Sequence, residues 1–540
     1  MHSRYYLVLL ILLSLLPGLL LAQYHRVYFT DKGKQNALLE TPEKLLSPRS
    51  LARRQRMDIP LGPSDLPVAP AYLNALEALD LEVVFASRWF NYALVKGALP
   101  AQVRAWPQVR KVQFLRPENG MSAAHRQTLS APKGAQQGLD YGFAAGQIEM
   151  LRGHLLHDSG YTGRGMVIAV LDGGFAGADT IGVLDSLHQQ NRVLGTYSFV
   201  YDDTNVYRGG THGTSVLSVM AALAPGRMVG TAPHASYYLL NSEDGRSETP
   251  VEMDNWLAAA EYADSVGADV INSSLGYSEF DDSTDNFTYA DMNGDVALVT
   301  RAADRAAQKG IAVVVSAGNA GSSQWQYITA PADGDSVLTV GAVNSEGDYV
   351  NFSSVGPTAD GRVKPDVAAQ GALSTLATSA GQVVAGFGTS FSAPIVAGLT
   401  ACLLEAKPQS HAQEVLDLIR RSAHQYYQPD SLLGYGIPNF HQASLLGLEQ
   451  LKASTLPLKV YPTPFRQRLY LQVGAIPGPM EVRLELSDLR GNRVYQSQDV
   501  IKPGGLLRIE PHLAEGLYLL RVKSEAGVYH QKIMRAGYGK

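Results

Sequence analysis

Three side chains that could together carry out nucleophilic catalysis are spread along this chain of 540 residues: the carboxylate of Asp172, the imidazole of His212 and the hydroxyl of Ser390. A neutral serine hydroxyl is a poor nucleophile, and it becomes effective when an imidazole takes its proton during attack. A carboxylate completes such a set by holding the imidazole in the useful tautomer. Asn319, in Ser316-Ala317-Gly318-Asn319, offers a side-chain amide of the kind that meets a developing oxyanion. Each residue also has a plainer reading. Asp172-Gly173 suits a turn, a lone histidine is usually structural, Ser390 or Ser392 could be an N-cap, and Gly-Asn is a common turn pair.

The elements around these residues place each reactive side chain at the end of a regular element, a position open to either reading. The apolar run Val167 to Leu171 is a buried strand that delivers Asp172 at its C-terminal edge, where open α/β sheets bind ligands. Glycines at 209, 210 and 213 leave room beside His212 for another backbone, and a helix is expected over Val216 to Leu223. Ser390 precedes the run Ile395 to Leu404, a buried central helix whose positive N-terminal end it would occupy, with Pro394 tolerated in the first turn. Asn319 follows the strand Ile311 to Val315, itself preceded by a helix over Leu298 to Lys309. Short apolar strands alternating with Ala-rich helical stretches predict a parallel sheet covered by helices on both faces.

Taken together, Val170-Leu171-Asp172-Gly173-Gly174, His212-Gly213-Thr214 and Gly388-Thr389-Ser390-Phe391-Ser392-Ala393-Pro394 resemble the subtilisin-like serine proteases, peptidase family S8. The resemblance covers residues 148–444. It implies an Asp172, His212, Ser390 triad, an oxyanion hole completed by Asn319, and a substrate-binding strand at Ser274, Leu275 and Gly276. Lys364-Pro365-Asp366-Val367 and Asn351 to Pro357 are similar to further signatures of the family. Two positions depart from it: Gly173 stands where Thr or Ser is more usual, and Ser215 where a second histidine often stands. The implied activity is endopeptidase action on flexible protein or peptide segments. The competing readings are a catalytically silent adhesion or scaffold protein on the same fold, and an esterase using the same machinery.

Composition bounds the rest. Forty-five basic against fifty acidic residues give a formal charge of −5, which leaves no electrostatic footprint for nucleic acid. Arg4 ahead of the apolar run Leu7 to Leu21, with Ala22-Gln23 as a cleavage point, makes residues 1–22 an expected signal peptide. One cysteine, Cys402, excludes an intramolecular disulfide and is expected as a buried packing thiol.

Residues 24–117 mix amphipathic and β-like segments, including Pro70 to Leu79, Leu81 to Phe85 and Tyr92 to Val95. They form a small α+β unit in the place of the family's inhibitory propeptide. Residues 118–147 are a linker, and Arg53-Arg54 is expected on a solvated basic face rather than as a processing site. From 456 to 540 helical periodicity gives way to five short strands, Leu458 to Tyr461, Leu469 to Val473, Val482 to Leu486, Leu506 to Ile509 and Leu517 to Val522, which predicts a β-sandwich. Tyr461 to Phe465, Leu489 to Asn492 and Gly516 to Leu520 resemble the C-terminal sorting domain of type IX secretion substrates. That resemblance implies passage through an outer-membrane secretion machinery to the medium or the cell surface. Asp291, Asn293 and Asp295 begin like a calcium loop but lack its glycine and glutamate, so a polar loop is expected and no metal site is assigned. No cofactor is called for, structural calcium is compatible with the family, and a monomer is expected.

Overall fold

The computed structural model describes residues 23–115, 127–128, 139–446 and 458–536, apart from 464, 475–477, 488–492 and 525–526. The expected signal peptide, most of the expected linker and the Leu489 to Asn492 motif lie outside the described residues. Two compact units divide between Ala443 and Ser444.

The first unit begins with β1 (Tyr24–Phe29), α1 (Pro48–Arg56), α2 (Pro70–Glu77), β2 (Glu82–Ser87), β3 (Tyr92–Lys96) and β4 (Val109–Leu115). These strands form an antiparallel sheet in the order β2-β3-β1-β4. Alternation gives the sheet two apolar faces. Val27, Phe29, Ala93 and Val95 turn towards Leu76 of α2 and close the small domain's own core. Tyr28, Tyr92 and Leu94 face the other way and join one core with Met253, Trp256 and Leu257 of the following domain. The small domain is therefore docked through a hydrophobic face.

The following domain contains seven parallel strands: β5 (Val167–Asp172), β6 (Val193–Ser198), β7 (Ser236–Asn241), β8 (Val270–Ser273), β9 (Ala312–Ser316), β10 (Leu338–Val343) and β11 (Val367–Gln370). Their order is β11-β10-β9-β8-β5-β7-β6. Every residue of β5, β8, β9 and β10 is buried, as expected for a sheet covered on both sides. The covering helices are α3 (His212–Ala221), α4 (Glu252–Val266), α5 (Leu298–Gln308), α6 (Thr389–Ala406) and α7 (Ala412–Arg421). Helix α3 packs on α6, and α4 packs on α5. Strand β5 lies between β7 and β8, so the strand order reverses direction at β5 and opens a crevice beyond its carboxyl end.

The Lys364-Pro365-Asp366-Val367 signature locks the edge of this sheet. Asp366 accepts from Lys364 Nζ and Arg420 Nε, each at 2.7 Å, and from the Thr339 backbone N–H at 2.7 Å. Cys402 is buried in α6, where its thiol donates to the Thr231 carbonyl.

Arg53 and Arg54 contradict the expected solvated basic face. They are 1% and 2% exposed. Arg53 Nη2 donates to Asp264 Oδ1 at 2.5 Å, and Arg54 Nη2 donates to Asp264 Oδ2 at 2.7 Å and to Asp65 Oδ1 at 3.1 Å. The partner they share, Asp264, sits at the C-terminal end of α4, more than two hundred positions away, which charge patterning along α1 could not disclose.

The second unit, described by itself, is a pair of antiparallel sheets built from β12 (Leu458–Tyr461), β13 (Leu469–Val473), β14 (Met480–Ser487), β15 (Arg493–Ile501), β16 (Leu506–Ile509), β17 (Gly516–Ser524) and β18 (Gly527–Arg535). The strand orders are β12-β13-β16 and β15-β14-β17-β18. Inward residues such as Leu471, Leu484, Leu520 and Ile533 form its core. Strand β15 escaped the sequence reading because, at the sheet edge, only its last residue, Ile501, is buried.

Candidate active site

Asp172 ends β5 and is fully buried, with Oδ1 accepting from the Gly173 N–H at 2.8 Å and from His212 Nδ1 at 2.8 Å. With its Nδ1 proton donated to the carboxylate, the imidazole keeps Nε2 as its acceptor. Its side chain is 42% exposed. Asp172 Oδ2 is buried with no hydrogen-bond partner among the described residues. Gly173, lacking a hydroxyl, cannot supply one.

Helix α3 starts at His212 itself, four residues earlier than the sequence pattern suggested. The reason is Gly213. A Cβ there would come within 2.6 Å of the Gly174 carbonyl oxygen and 3.0 Å of the Asp172 Cβ. Only glycine lets the first turn of α3 rest on the end of β5 and bring the imidazole to the carboxylate.

Ser390 is the second residue of α6, whose N-terminus lies across from that of α3. The ring of the adjacent Phe391 is 5.9 Å from the imidazole, centroid to centroid. Neither Ser390 nor Ser392 caps the helix: the N-cap is Gly388, at φ 140°, and Ser392 Oγ donates to Thr389 O at 3.0 Å. Pro394 is not in the first turn but at the sixth helical position. It offers no N–H to the carbonyl four residues back, which is that of Ser390. The Ser274 hydroxyl donates to that carbonyl instead, at 2.9 Å, while Ser390 Oγ makes a long bond to Ser274 O at 3.3 Å.

Asn319 is exposed beyond the end of β9. Its Oδ1 accepts from both the N–H and the hydroxyl of Thr389, at 2.8 and 3.0 Å. Those two donors fix the amide's orientation, so the Nδ2 hydrogens remain available as donors beside Ser390. Ser274, Leu275 and Gly276 follow β8, with Gly276 exposed. The residues singled out from the sequence thus gather at the carboxyl ends of β5, β8 and β9 and at the N-termini of α3 and α6. Asp291, Asn293 and Asp295 lie apart from these elements in a polar loop, where Asp291 accepts from the N–H and hydroxyl of Thr288.

One feature had no sequence signal. Glu243, Glu248 and Glu252 bring carboxylate oxygens within 4.8 Å of one another near the end of β7. Glu243 Oε2 accepts from the Tyr277 hydroxyl at 2.8 Å, one residue beyond Gly276. Burial and then the charge of Glu248 push the Glu243 carboxyl well above its ordinary range. Burial, then Asp281, raises Glu248 to about 7, and burial, then Glu243 and Glu248, raises Glu252 to about 11. Three acidic groups at this spacing are a donor set a cation could use, and burial together with their mutual repulsion favours their protonated forms. The three glutamates are spaced five and four apart on a loop and a helix start, a pattern with no periodicity to notice.

Three stretches of the chain match known domain families. Residues 163–436 match the profile described as "Subtilase family". Residues 24–131 match "Peptidase S8 propeptide domain, Bacteroidota", and residues 459–535 match "Secretion system C-terminal sorting domain". Subtilisin NAT of Bacillus subtilis subsp. natto is 34% identical over 301 residues, covering 55% of this chain and 70% of its own length. Subtilisin of Bacillus pumilus is 33% identical over 301 residues, covering 55% of this chain and 97% of its own. A crystal structure of MycP1 with its N-terminal propeptide removed aligns with 55% of this chain and 96% of its own, at 23% identity and a TM-score of 0.45.

Proposed function

Because this chain belongs to the subtilase family and is an exported serine-type endopeptidase, we propose that it hydrolyses peptide bonds through Asp172, His212 and Ser390 by way of an acyl-enzyme. The observation that carries this assignment is the 2.8 Å bond from His212 Nδ1 to Asp172 Oδ1, which assigns the role of base to Nε2.

The Ser390 hydroxyl gives up its long bond to Ser274 O, attacks the substrate carbonyl and passes its proton to His212 Nε2. Asp172 stabilises the resulting imidazolium without taking up the proton. The oxyanion receives hydrogen bonds from Asn319 Nδ2 and from the Ser390 backbone N–H, at the positive end of the 18-residue α6. His212 then protonates the departing amine, and water repeats the sequence in reverse on the acyl group. An extended peptide pairs in β fashion along Ser274, Leu275 and Gly276.

Residues 24–117 would act as the inhibitory propeptide, residues 1–22 as the signal peptide, and the C-terminal sandwich as the part read by the secretion machinery. The enzyme is expected to work as a monomer, since each proposed catalytic group comes from one chain, and the proposed chemistry uses no cofactor.

The test is turnover of casein and of a simple ester by the matured enzyme and by its His212→Ala, Ser390→Ala and doubly substituted forms. Each single change should abolish both activities, and the pair should lose little more, because the groups act as a unit. Casein left intact by the matured enzyme would discard the protease reading, and ester turnover alone would favour an esterase.

A further inference from the structure

Four buried carboxylates of the seven-stranded domain take their basic partners from the small domain. Asp254 and Asp264 are fully buried, Glu261 is 4% exposed and Asp269 is 6% exposed. Arg26 Nε donates to Asp254 Oδ1 at 2.8 Å, and the Tyr92 hydroxyl donates to the same oxygen. Arg53 and Arg54 share Asp264, and Arg49 pairs with Asp269. Glu261 accepts from the Ser87 hydroxyl at 2.6 Å and from the Arg88 and Trp89 N–H groups, each at 3.1 Å, with the Arg88 guanidinium 3.5 Å away. One bond runs the other way, from Lys309 Nζ to Asp65 Oδ1 at 2.8 Å.

Part of this contact is made by residues 47–59, an arm that includes α1 and follows the amino edge of the sheet. Arg49 donates to Gly165 O at 2.8 Å and to Gly267 O at 2.9 Å, and Arg53 donates to Ala268 O, all just ahead of β5 and β8. A Cβ on Gly267 would lie 2.8 Å from Arg49 Cβ and from the Ser50 backbone nitrogen, and one on Gly310, ahead of β9, 2.7 Å from Met57 Sδ. Both glycines stand at φ +88°, and a side chain at either would push the arm away. The proposed catalytic groups lie at the opposite, carboxyl edge. Gln127 and Thr128, by contrast, pair with Ala385 and Val384 of the strand Val383–Phe387, which leads into the N-terminus of α6. Docking of the small domain and approach to the catalytic edge thus belong to different stretches of the chain.

We propose that residues 23–115 are a permanent subunit of the active enzyme: cutting the chain after them ends inhibition, while the small domain stays bound on the far side of the sheet. The inference rests on the protease and propeptide readings above. Burial of Tyr28, Tyr92 and Leu94 against Met253, Trp256 and Leu257 supplies affinity. The ion pairs oppose partial release, since a withdrawn arginine leaves a buried carboxylate alone. Because β1, the arm and the turn after β2 are held separately, loss of one attachment is reversed by the others before the domain escapes.

The experiment places a site for a sequence-specific protease between residues 118 and 126, in the active chain and in its Ser390→Ala form. Once mass spectrometry shows the cut, the two pieces are followed by size-exclusion chromatography. In the Ser390→Ala form they should elute together at about 10 nM, which requires nanomolar affinity. They should also stay together in about 1 M salt, which screens buried pairs little. Arg26→Ala, which strands Asp254, should weaken the association at least about 100-fold. Arg49→Ala, removing a side chain that is 39% exposed, should weaken it by less than about 10-fold. The active pair should cleave casein while both pieces elute together. Elution of the small domain apart from its cut Ser390→Ala partner overturns this inference alone. Casein cleavage that begins only when the small domain has been stripped off or digested overturns it too, because the domain is then an inhibitor and not a subunit. Absence of casein cleavage in both the paired and the stripped enzyme overturns the protease reading and this inference with it.

Discussion

The hydroxyl of Ser274 donates to the backbone carbonyl of Ser390 across 2.9 Å, at the acceptor that Pro394 leaves without a helical partner. The proposed substrate strand is thereby fastened to the first turn of α6 by a bond that an uninterrupted helix would not need. Ser274→Ala should cost about 1–2 kcal/mol, the price of a carbonyl stripped of its donor, and should lower kcat by loosening Ser390. Adding Pro394→Ala restores an N–H four residues on and should recover most of the stability. Urea unfolding of both variants on a Ser390→Ala background, which prevents self-digestion, measures the coupling. Strictly additive losses would show that the two residues act independently.

Gly173 offers a test of the carboxylate. Asp172 Oδ2 is buried without a partner among the described residues, and a Cβ on Gly173 would meet nothing closer than Glu243 Cβ at 3.5 Å. Gly173→Ser thus has room to place a hydroxyl donor beside that oxygen. The substitution should raise stability by about 1 kcal/mol, seen as a higher unfolding midpoint, while Gly173→Ala should gain distinctly less. Equal effects of the two would mean that the hydroxyl does not reach Asp172.

Arg53 and Arg54 show what one-dimensional reading cannot supply. As a dibasic pair they suggested processing or solvation, yet both end on Asp264, which is itself fully buried. Removing both guanidiniums strands a buried carboxylate, so Arg53→Ala with Arg54→Ala should destabilise the Ser390→Ala chain by about 3–5 kcal/mol. Replacing Arg53, Arg54 and Asp264 together by Met, Leu and Leu should be far milder, because no charge is then left alone. Trypsin should spare both bonds in the native chain, and early cleavage there, read by mass spectrometry, would contradict the packing.

The proposed catalytic constellation could be assembled from the sequence because each member sits next to a local signal: a buried strand before Asp172, glycines around His212, small residues and a long apolar run after Ser390. The strand Leu458 to Tyr461 and its neighbours β13 and β16 were legible for the same reason, since apolar alternation is local. What sequence could not disclose depends on pairing across the fold. Strand β1 carries His25 and Arg26 in the midst of its apolar residues, and Arg26 becomes intelligible only beside Asp254, 2.8 Å from its Nε. The early start of α3 depends on Gly213 meeting Gly174, and the position of Pro394 on Ser274, contacts that no window of neighbouring residues contains.

The glutamate cluster ties the stability of the chain to pH. Glu248 and Glu252 are raised in the folded chain to about 7 and about 11, and Glu243 is raised too, chiefly by burial. An unfolded glutamate titrates near its ordinary value of about 4.3, so between that pH and the folded value the native state binds more protons than the unfolded one. Stability from these groups is complete below about pH 4.3 and falls as pH rises, by about 1.4 kcal/mol per pH unit for each proton retained. Glu248 stops contributing near 7, whereas Glu252 continues into the alkaline range. His157, held down to about 4 by burial, acts in the opposite sense between about 4 and 6.5, so the informative quantity is a difference between variants. On the Ser390→Ala background, the chain with all three glutamates should lose stability relative to its triple Glu→Gln counterpart as pH rises from 6.5 to 9. The glutamine amides keep the shape of the protonated acids but cannot ionise. Parallel stability curves for the two chains across that range would mean that the carboxyls are ionised in the native protein and that the cluster is not held by its protons.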